Sequence, residues 1–234
     1  SAMSVSKPTV LLEHYLKQLK LPTMLREYAK LASLCQSERA DYQTFLLRLC
    51  EREVHDRELR AAELRAAERR VKTAKFPVVK TLDTFDFQAQ PSINQELIRE
   101  LIRGEYMDRC ENVLLIGNSG TGKSHLATGL AFAACQQGRR VRFFTATGLV
   151  TQLLEKREDR QLERFQKQRE RLHLIVLDEL GYVPFSKTGA ELLFEVVSRA
   201  YERTSLIVTT NLPFEAWTEV MGTERLTGAL LDRL

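Results

Sequence analysis

One octet, Gly117-Asn118-Ser119-Gly120-Thr121-Gly122-Lys123-Ser124, satisfies G-x-x-x-x-G-K-[ST] at every required position. Glycines at 117, 120 and 122 permit backbone conformations closed to residues with a Cβ, so successive N–H groups can turn inward on a polyphosphate. Lys123 is spaced to reach the β and γ phosphates, and the Ser124 hydroxyl is a ligand for Mg²⁺. His125 joins this nucleotide-binding set as its next residue. The chemistry implied is capture of a nucleoside triphosphate tail.

A second group adds hydrolysis. The apolar run Leu174-Ile175-Val176-Leu177 delivers Asp178-Glu179 at its end, where open α/β sheets place their ligands. Asp178 is suited to hold Mg²⁺ through its water shell, and Glu179 to orient and deprotonate an attacking water. Such a run also describes a strand meeting solvent; the complete phosphate loop upstream favours the catalytic reading. A third run, Leu206 to Thr210, ends in Asn211, whose amide is placed to hold the lytic water or the γ phosphate, although Asn at a strand end is also a turn former. No Asn-Lys-x-Asp guanine signature occurs, which disfavours a GTPase, and Glu179 beside Asp178 suits water activation better than a small-molecule kinase.

These chemistries need strands and helices in a fixed order. Val113-Leu114-Leu115-Ile116 reads as the strand before the loop, and Leu126, Leu130 and Ala134 mark the helix after it. Beyond residue 91 the pattern alternates: strands at 113–117, 141–146, 172–178 and 204–210, helices at 123–137 and 190–202. Such alternation predicts a parallel sheet with helices on both faces, an α/β fold. Ser92 with Gln95 forms a capping box for a preceding helix through Leu97, Ile98 and Leu101.

Residues 1–77 read differently, as a small all-helical domain. Leu11, Leu12, Tyr15, Leu16 and Leu19 share a helical face and are expected as core, as are Met24, Tyr28, Leu31 and Cys35 of a helix opened by Pro22. Asp41 is the expected N-cap of a long third helix whose stripe of Tyr42, Phe45, Leu46 and Leu49 fades into Arg, Glu and Ala, with Glu53 and Arg57 spaced as an ion pair, before a stop near Phe76-Pro77. Its Arg65, Arg69, Arg70, Lys72 and Lys75 fit either a solvated linking helix or contact with a phosphate backbone without base readout. Residues 78–91 form the linker; its Leu82, Phe85 and Phe87 suit an adenine ring or, as the safer assignment, a latch onto the core domain at 92–234.

Charge follows the same division. Residues 1–80 hold 16 Lys/Arg against 10 Asp/Glu, so the basic excess lies in the N-terminal part of a chain with net charge +4. Glu155 to Arg171, with seven basic and five acidic residues, reads as a solvated helix; only in a ring or spiral assembly of the kind the resemblance below implies would Lys156, Arg157 and Arg160 face a DNA channel. At 234 residues and 44% hydrophobic, the chain can bury a sizeable core, and no apolar run approaches the roughly 20 residues of a membrane helix. Neither a signal peptide nor paired cysteine spacing is evident, which suits reduced thiols at Cys35, Cys50, Cys110 and Cys135 in a cytosolic protein. Ser1-Ala2-Met3 reads as the scar of a removed tag.

The phosphate loop, Leu177-Asp178-Glu179-Leu180-Gly181-Tyr182, Thr209-Thr210-Asn211-Leu212 and Leu231-Asp232-Arg233-Leu234, with Leu19 to Met24 and Ala74 to Pro77, resemble the IstB-type transposition helper ATPases, AAA+ proteins close to the DnaC helicase loaders. The resemblance runs from about Leu11 to Leu234. It implies a P-loop AAA+ core behind the helical domain, with ATP and Mg²⁺ as cofactors. It further implies self-association on double-stranded DNA, in association with the nucleoid, and presentation of a target site to a cognate transposase; a helicase loader acting on single strands is the alternative. By motif match Arg233 is similar to the arginine that one subunit inserts into its neighbour's ATP site, with Arg225 as fallback. The family's C-terminal lid is expected to be largely absent, since the sequence stops just after that motif.

Overall fold

Helix signals and strand signals separate along this chain, and the structure, a computed structural model describing residues 7–234, separates the same way. The Ser1-Ala2-Met3 segment lies outside the described residues. By their internal contacts, the described residues up to Arg65 and residues 66–234 form two units.

The first unit holds α1 (Lys7–Gln18), α2 (Pro22–Glu38) and the greater part of α3 (Tyr42–Ala74). Pro22 opens α2 with its fixed φ and missing N–H, both tolerated at the first helical position. The Asp41 carboxylate accepts the Thr44 N–H at 2.7 Å, the capping bond expected at the start of α3. Leu31, Cys35 and Leu49 are buried together, with Met24, Tyr28 and Phe45 packed around them. The expected stripe on α1 is only partly core: Leu16 is buried, but Leu11, Leu12, Tyr15 and Leu19 stay exposed. In three helices, α1 is left one side to bury, and Leu16 takes it. Tyr42 and Leu46 are exposed for the same reason on α3.

The second unit begins before the expected boundary at residue 77. Val71, Ala74 and Phe76 pack with Val113, Ala131 and Phe143 in one of its hydrophobic clusters, which draws the last turns of α3 into it. A 3-10 turn at Leu82–Thr84 precedes α4 (Gln95–Arg103) and the short α5 (Glu105–Asp108). The capping residue of α4 is Asn94, not Ser92: its Oδ1 accepts from the Glu96 and Leu97 N–H groups at 3.1 and 3.2 Å. Asn94 sits directly before the first helical residue, and Gly104 at φ 82° ends the helix.

From there strand and helix alternate: β1 (Val113–Ile116), α6 (Lys123–Gln136), β2 (Val141–Thr145), α7 (Ala146–Glu158), α8 (Leu162–Arg169), β3 (Leu174–Leu180), α9 (Lys187–Ala200) and β4 (Ser205–Thr210), then α10 (Trp217–Met221) and α11 (Glu224–Leu231). The four strands form one parallel sheet in the order β1-β4-β3-β2. Alternate residues of β3 face opposite layers. Ile175 and Leu177 pack with α7, α9 and α11, while Leu174 and Val176 pack with α6. Burying both faces is what a continuous apolar run in a parallel strand requires. Among the described residues no helix is long and apolar enough to cross a membrane, and all four cysteines are free.

Candidate ATP site

Sheet order decides the geometry. With β4 between β1 and β3, the loop after β1 and the acidic end of β3 flank the end of β4. The Gly117 N–H donates to the Thr210 carbonyl at 3.2 Å, which ties the start of the loop to that strand. Gly120 and Gly122 adopt φ values of 78° and 85°, in the left-handed region, and a Cβ at Gly122 would meet the Phe85 ring at 2.7 Å. Inside the loop the Lys123 Nζ and Thr121 Oγ1 both donate to the Asn118 carbonyl, at 2.7 and 2.8 Å. The α6 N-terminus starts at Lys123, so its unpaired N–H groups and positive dipole end face the same space.

Asp178 and Ser124 meet as expected. The Ser124 Oγ donates to Asp178 Oδ1 at 2.8 Å, and the same carboxylate oxygen accepts from Thr209 Oγ1 of β4. Asp178 is buried. Two oxygen donors in contact, one of them a carboxylate, are the hard ligands that suit Mg²⁺, so the residues present fit the ion. Strand β3 continues past Asp178, beyond its expected end, because the β3–β4 register shifts between Leu177 and Leu180. Within that bulge Glu179 takes φ 60°, a conformation costing an L-residue about 1–2 kcal/mol, and its side chain stands exposed. Its N–H donates to Thr209 Oγ1 at 2.9 Å. Just past β4, Asn211 Oδ1 is buried with no hydrogen-bond partner among the described residues.

Residues 14–234 match the family described as IstB-like ATP binding protein. The chain belongs to that family. It is 35% identical over 223 residues to the insertion sequence IS5376 ATP-binding protein of Geobacillus stearothermophilus, covering 95% of this chain and 87% of that one. To the insertion sequence IS21 ATP-binding protein of Pseudomonas aeruginosa it is 36% identical over 223 residues, covering 95% and 82%. The fold is that of AAA+ proteins. A crystal structure of the DnaC helicase loader superposes with a TM-score of 0.56 at 22% identity, covering 65% of this chain and 92% of that one. AMPPCP-bound DnaA from Aquifex aeolicus gives 0.57 at 18% identity, covering 66% and 48%.

Other residues singled out in this IstB-like sequence lie elsewhere. Arg233 follows α11; its Nη1 donates to the Ala229 carbonyl at 2.7 Å and its guanidinium lies 4.9 Å from the Phe194 ring centroid. The Arg233 carbonyl accepts from Asn112 Nδ2, and Asn112 precedes β1, whereas the phosphate loop follows β1. Arg233 therefore sits at the opposite end of the sheet from its own chain's phosphate loop. Arg225 is exposed in the first turn of α11, beside Phe185, Phe194 and Met221. Along α3, Arg65, Arg69 and Lys72 are exposed, as is Lys75 just beyond it. Arg70 is not free with them: its Nε donates to the Cys135 carbonyl at 2.7 Å, in the last turn of α6. Lys156 donates to Gln161 Oε1 at 3.3 Å, while Arg157 and Arg160 are exposed.

The linker aromatics act as a latch. Phe85 lies against Gly122 and the His125 ring, and Leu82 against Gly129 of α6. His125 Nε2 is 2.8 Å from the Thr81 carbonyl and 3.3 Å from Thr84 Oγ1, so its ring is engaged by the linker. Sequence reasoning passed over Thr209 and Tyr182. The Tyr182 hydroxyl reaches Ser119 Oγ at 3.1 Å across the loop. Two adjacent threonines ending an apolar strand were the available signal for Thr209; Tyr182 closes the run Asp178-Glu179-Leu180-Gly181-Tyr182, but nothing in that run points to Ser119, a contact that comes from folding alone.

Proposed function

We propose that this chain is a Mg²⁺-dependent ATPase that assembles on duplex DNA and presents the target site to a transposase. The reading is supported above all by the convergence of Ser124, Asp178, Thr209 and Glu179 beside a complete phosphate loop. Loop N–H groups, Lys123 and the N-terminal end of α6 bind the β and γ phosphates. Mg²⁺ would be held by Ser124 and Asp178, where it would neutralise charge on those phosphates. Glu179 takes a proton from water, whose oxygen bonds to the γ phosphorus as the bond to the β–γ bridging oxygen breaks; ADP and phosphate leave. Asn211 holds the water or the γ phosphate, its buried oxygen without a partner among the described residues being the supporting observation. Arg233 serves a neighbouring subunit's site, in keeping with its distance along the sheet from its own loop.

The IS5376 and IS21 relatives belong to insertion sequences, which supports a transposase as partner and a bacterial cytosolic, nucleoid-associated setting. The N-terminal helical part meets DNA or partner, and the exposed Arg65, Arg69, Lys72 and Lys75 supply contacts to phosphate. Glu179→Gln is expected to keep ATP bound and to lower turnover about 100-fold or more, the scale of general-base catalysis. Wild-type turnover in that variant, measured by phosphate release, would remove the assignment. Nuclease footprinting of duplex DNA with and without ATP tests assembly; absent protection in both conditions would sink it.

A further inference from the structure

Thr209 was in no expected site, yet its hydroxyl engages both acidic residues of the ATP centre. It is 1% exposed and lies near the end of β4. Its Oγ1 donates to Asp178 Oδ1 and accepts the Glu179 N–H at 2.9 Å. A hydroxyl has one proton and two lone pairs, so spending the proton on Asp178 turns a lone pair to Glu179 and fixes the rotor. The two bonds fall where the β3–β4 register shifts and where Glu179 holds a positive φ. At that point regular strand pairing no longer specifies where the residue goes, and a side chain from the neighbouring strand does so instead. The γ-methyl of threonine restricts χ1, so the hydroxyl is aimed before anything binds.

We propose that Thr209 is a positioning residue for ATP hydrolysis, its one hydroxyl holding the metal-side carboxylate and the backbone of the base in a fixed relation. The inference rests on the hydrolytic reading of Glu179 and goes beyond it: the base works only while β4 clamps the bulge that carries it. Thr210 supplies the control. It is equally buried on the same strand, and its Oγ1 accepts from the Leu212 N–H at 3.1 Å, with no hydrogen bond to either acidic residue.

The test measures kcat and KM for ATP, affinity for a fluorescent ATP analogue and melting temperature for Thr209→Val, Thr209→Ser, Thr210→Val and Glu179→Gln in the full chain. Thr209→Val is expected to lower kcat about 10- to 100-fold below Thr210→Val, as a misplaced reacting group does, with nucleotide affinity within about threefold of wild type. Thr209→Ser, which keeps the hydroxyl, should restore kcat to within about threefold of wild type on the same grounds. Equal kcat in Thr209→Val and Thr210→Val overturns the proposal. Should valine prevent folding, serine decides: near-native kcat supports the clamp, and a tenfold loss at unchanged melting temperature overturns it. Full turnover by Glu179→Gln would strike the base assignment itself, a result separate from any obtained at Thr209.

Discussion

Lys123 carries the largest single expectation at the residue scale. Its ammonium lies within the phosphate loop, donating to the Asn118 carbonyl. Removing a charged hydrogen-bond donor costs about 1.5–3 kcal/mol, or roughly 10- to 150-fold in Kd. Lys123→Ala should weaken binding of a fluorescent ATP analogue by that amount, and unchanged affinity would contradict the assignment. The octet and the Asp-Glu pair were legible because their chemistry is written in consecutive residues. Thr209 and Tyr182 were not, since each acts on a partner 30 or more positions away, and only strand order brings them together. Arg70 shows the converse. In sequence it fitted either a solvated linking helix or a phosphate contact with Arg69 and Lys72, while the fold turns its Nε to a carbonyl at the end of α6. Charge is visible in sequence; the direction in which a half-buried guanidinium points is a packing outcome.

Elements were legible where periodicity was long and less so at their ends. The strands and helices expected by alternation in the second unit formed, but Glu155 to Arg171, expected as one solvated helix, breaks between α7 and α8 and buries Gln166 and Arg169. Strand β3 ran past Asp178 because a bulge inserts there, and a bulge leaves no mark on hydrophobic periodicity. The α2 N-terminus gives a second case. Leu21 before it offers no capping side chain, and the cap comes instead from α3: the buried Glu53 carboxylate accepts from the Thr23 and Met24 N–H groups at 2.8 and 2.9 Å while Arg57 pairs with it at 3.1 Å. Burial pushes the Glu53 pKa up, but the Met24 N–H and Arg57 outweigh it and hold the carboxyl below its ordinary 4.5. A depressed folded value means that the stabilisation is complete above about pH 4.5 and fades as pH falls through the lower folded value. Glu53→Ala should cost about 1–3 kcal/mol by leaving the buried Thr23 N–H and the part-buried Met24 N–H unpaired. Urea unfolding at pH 7, with hydrogen exchange in the first turn of α2, measures it; native protection there in the variant would refute the cap.

At the scale of the molecule, sequence gave the class of each half and missed where they divide. Val71, Ala74 and Phe76 belong by spacing to a helix and a stop signal, yet their side chains pack in the core that holds the sheet. The apolar face expected on α1 is likewise mostly open, as a three-helix unit has too few partners to cover every stripe. Arg233→Ala is expected to leave ATP affinity of the isolated chain within about twofold, and to lower turnover of the DNA-bound assembly about 10³-fold or more, the scale of an arginine supplied in trans. Weakened binding by the isolated chain would place the residue in its own site instead. With Arg233 serving a neighbour's site as proposed, its separation from its own phosphate loop, at opposite ends of one sheet, would give each copy a plug and a socket facing different ways. Copies joined so are related head to tail. An open row must then end in a socket that no plug fills, whereas a closed circle fills them all, so ATP consumption per copy would itself report whether the row has closed.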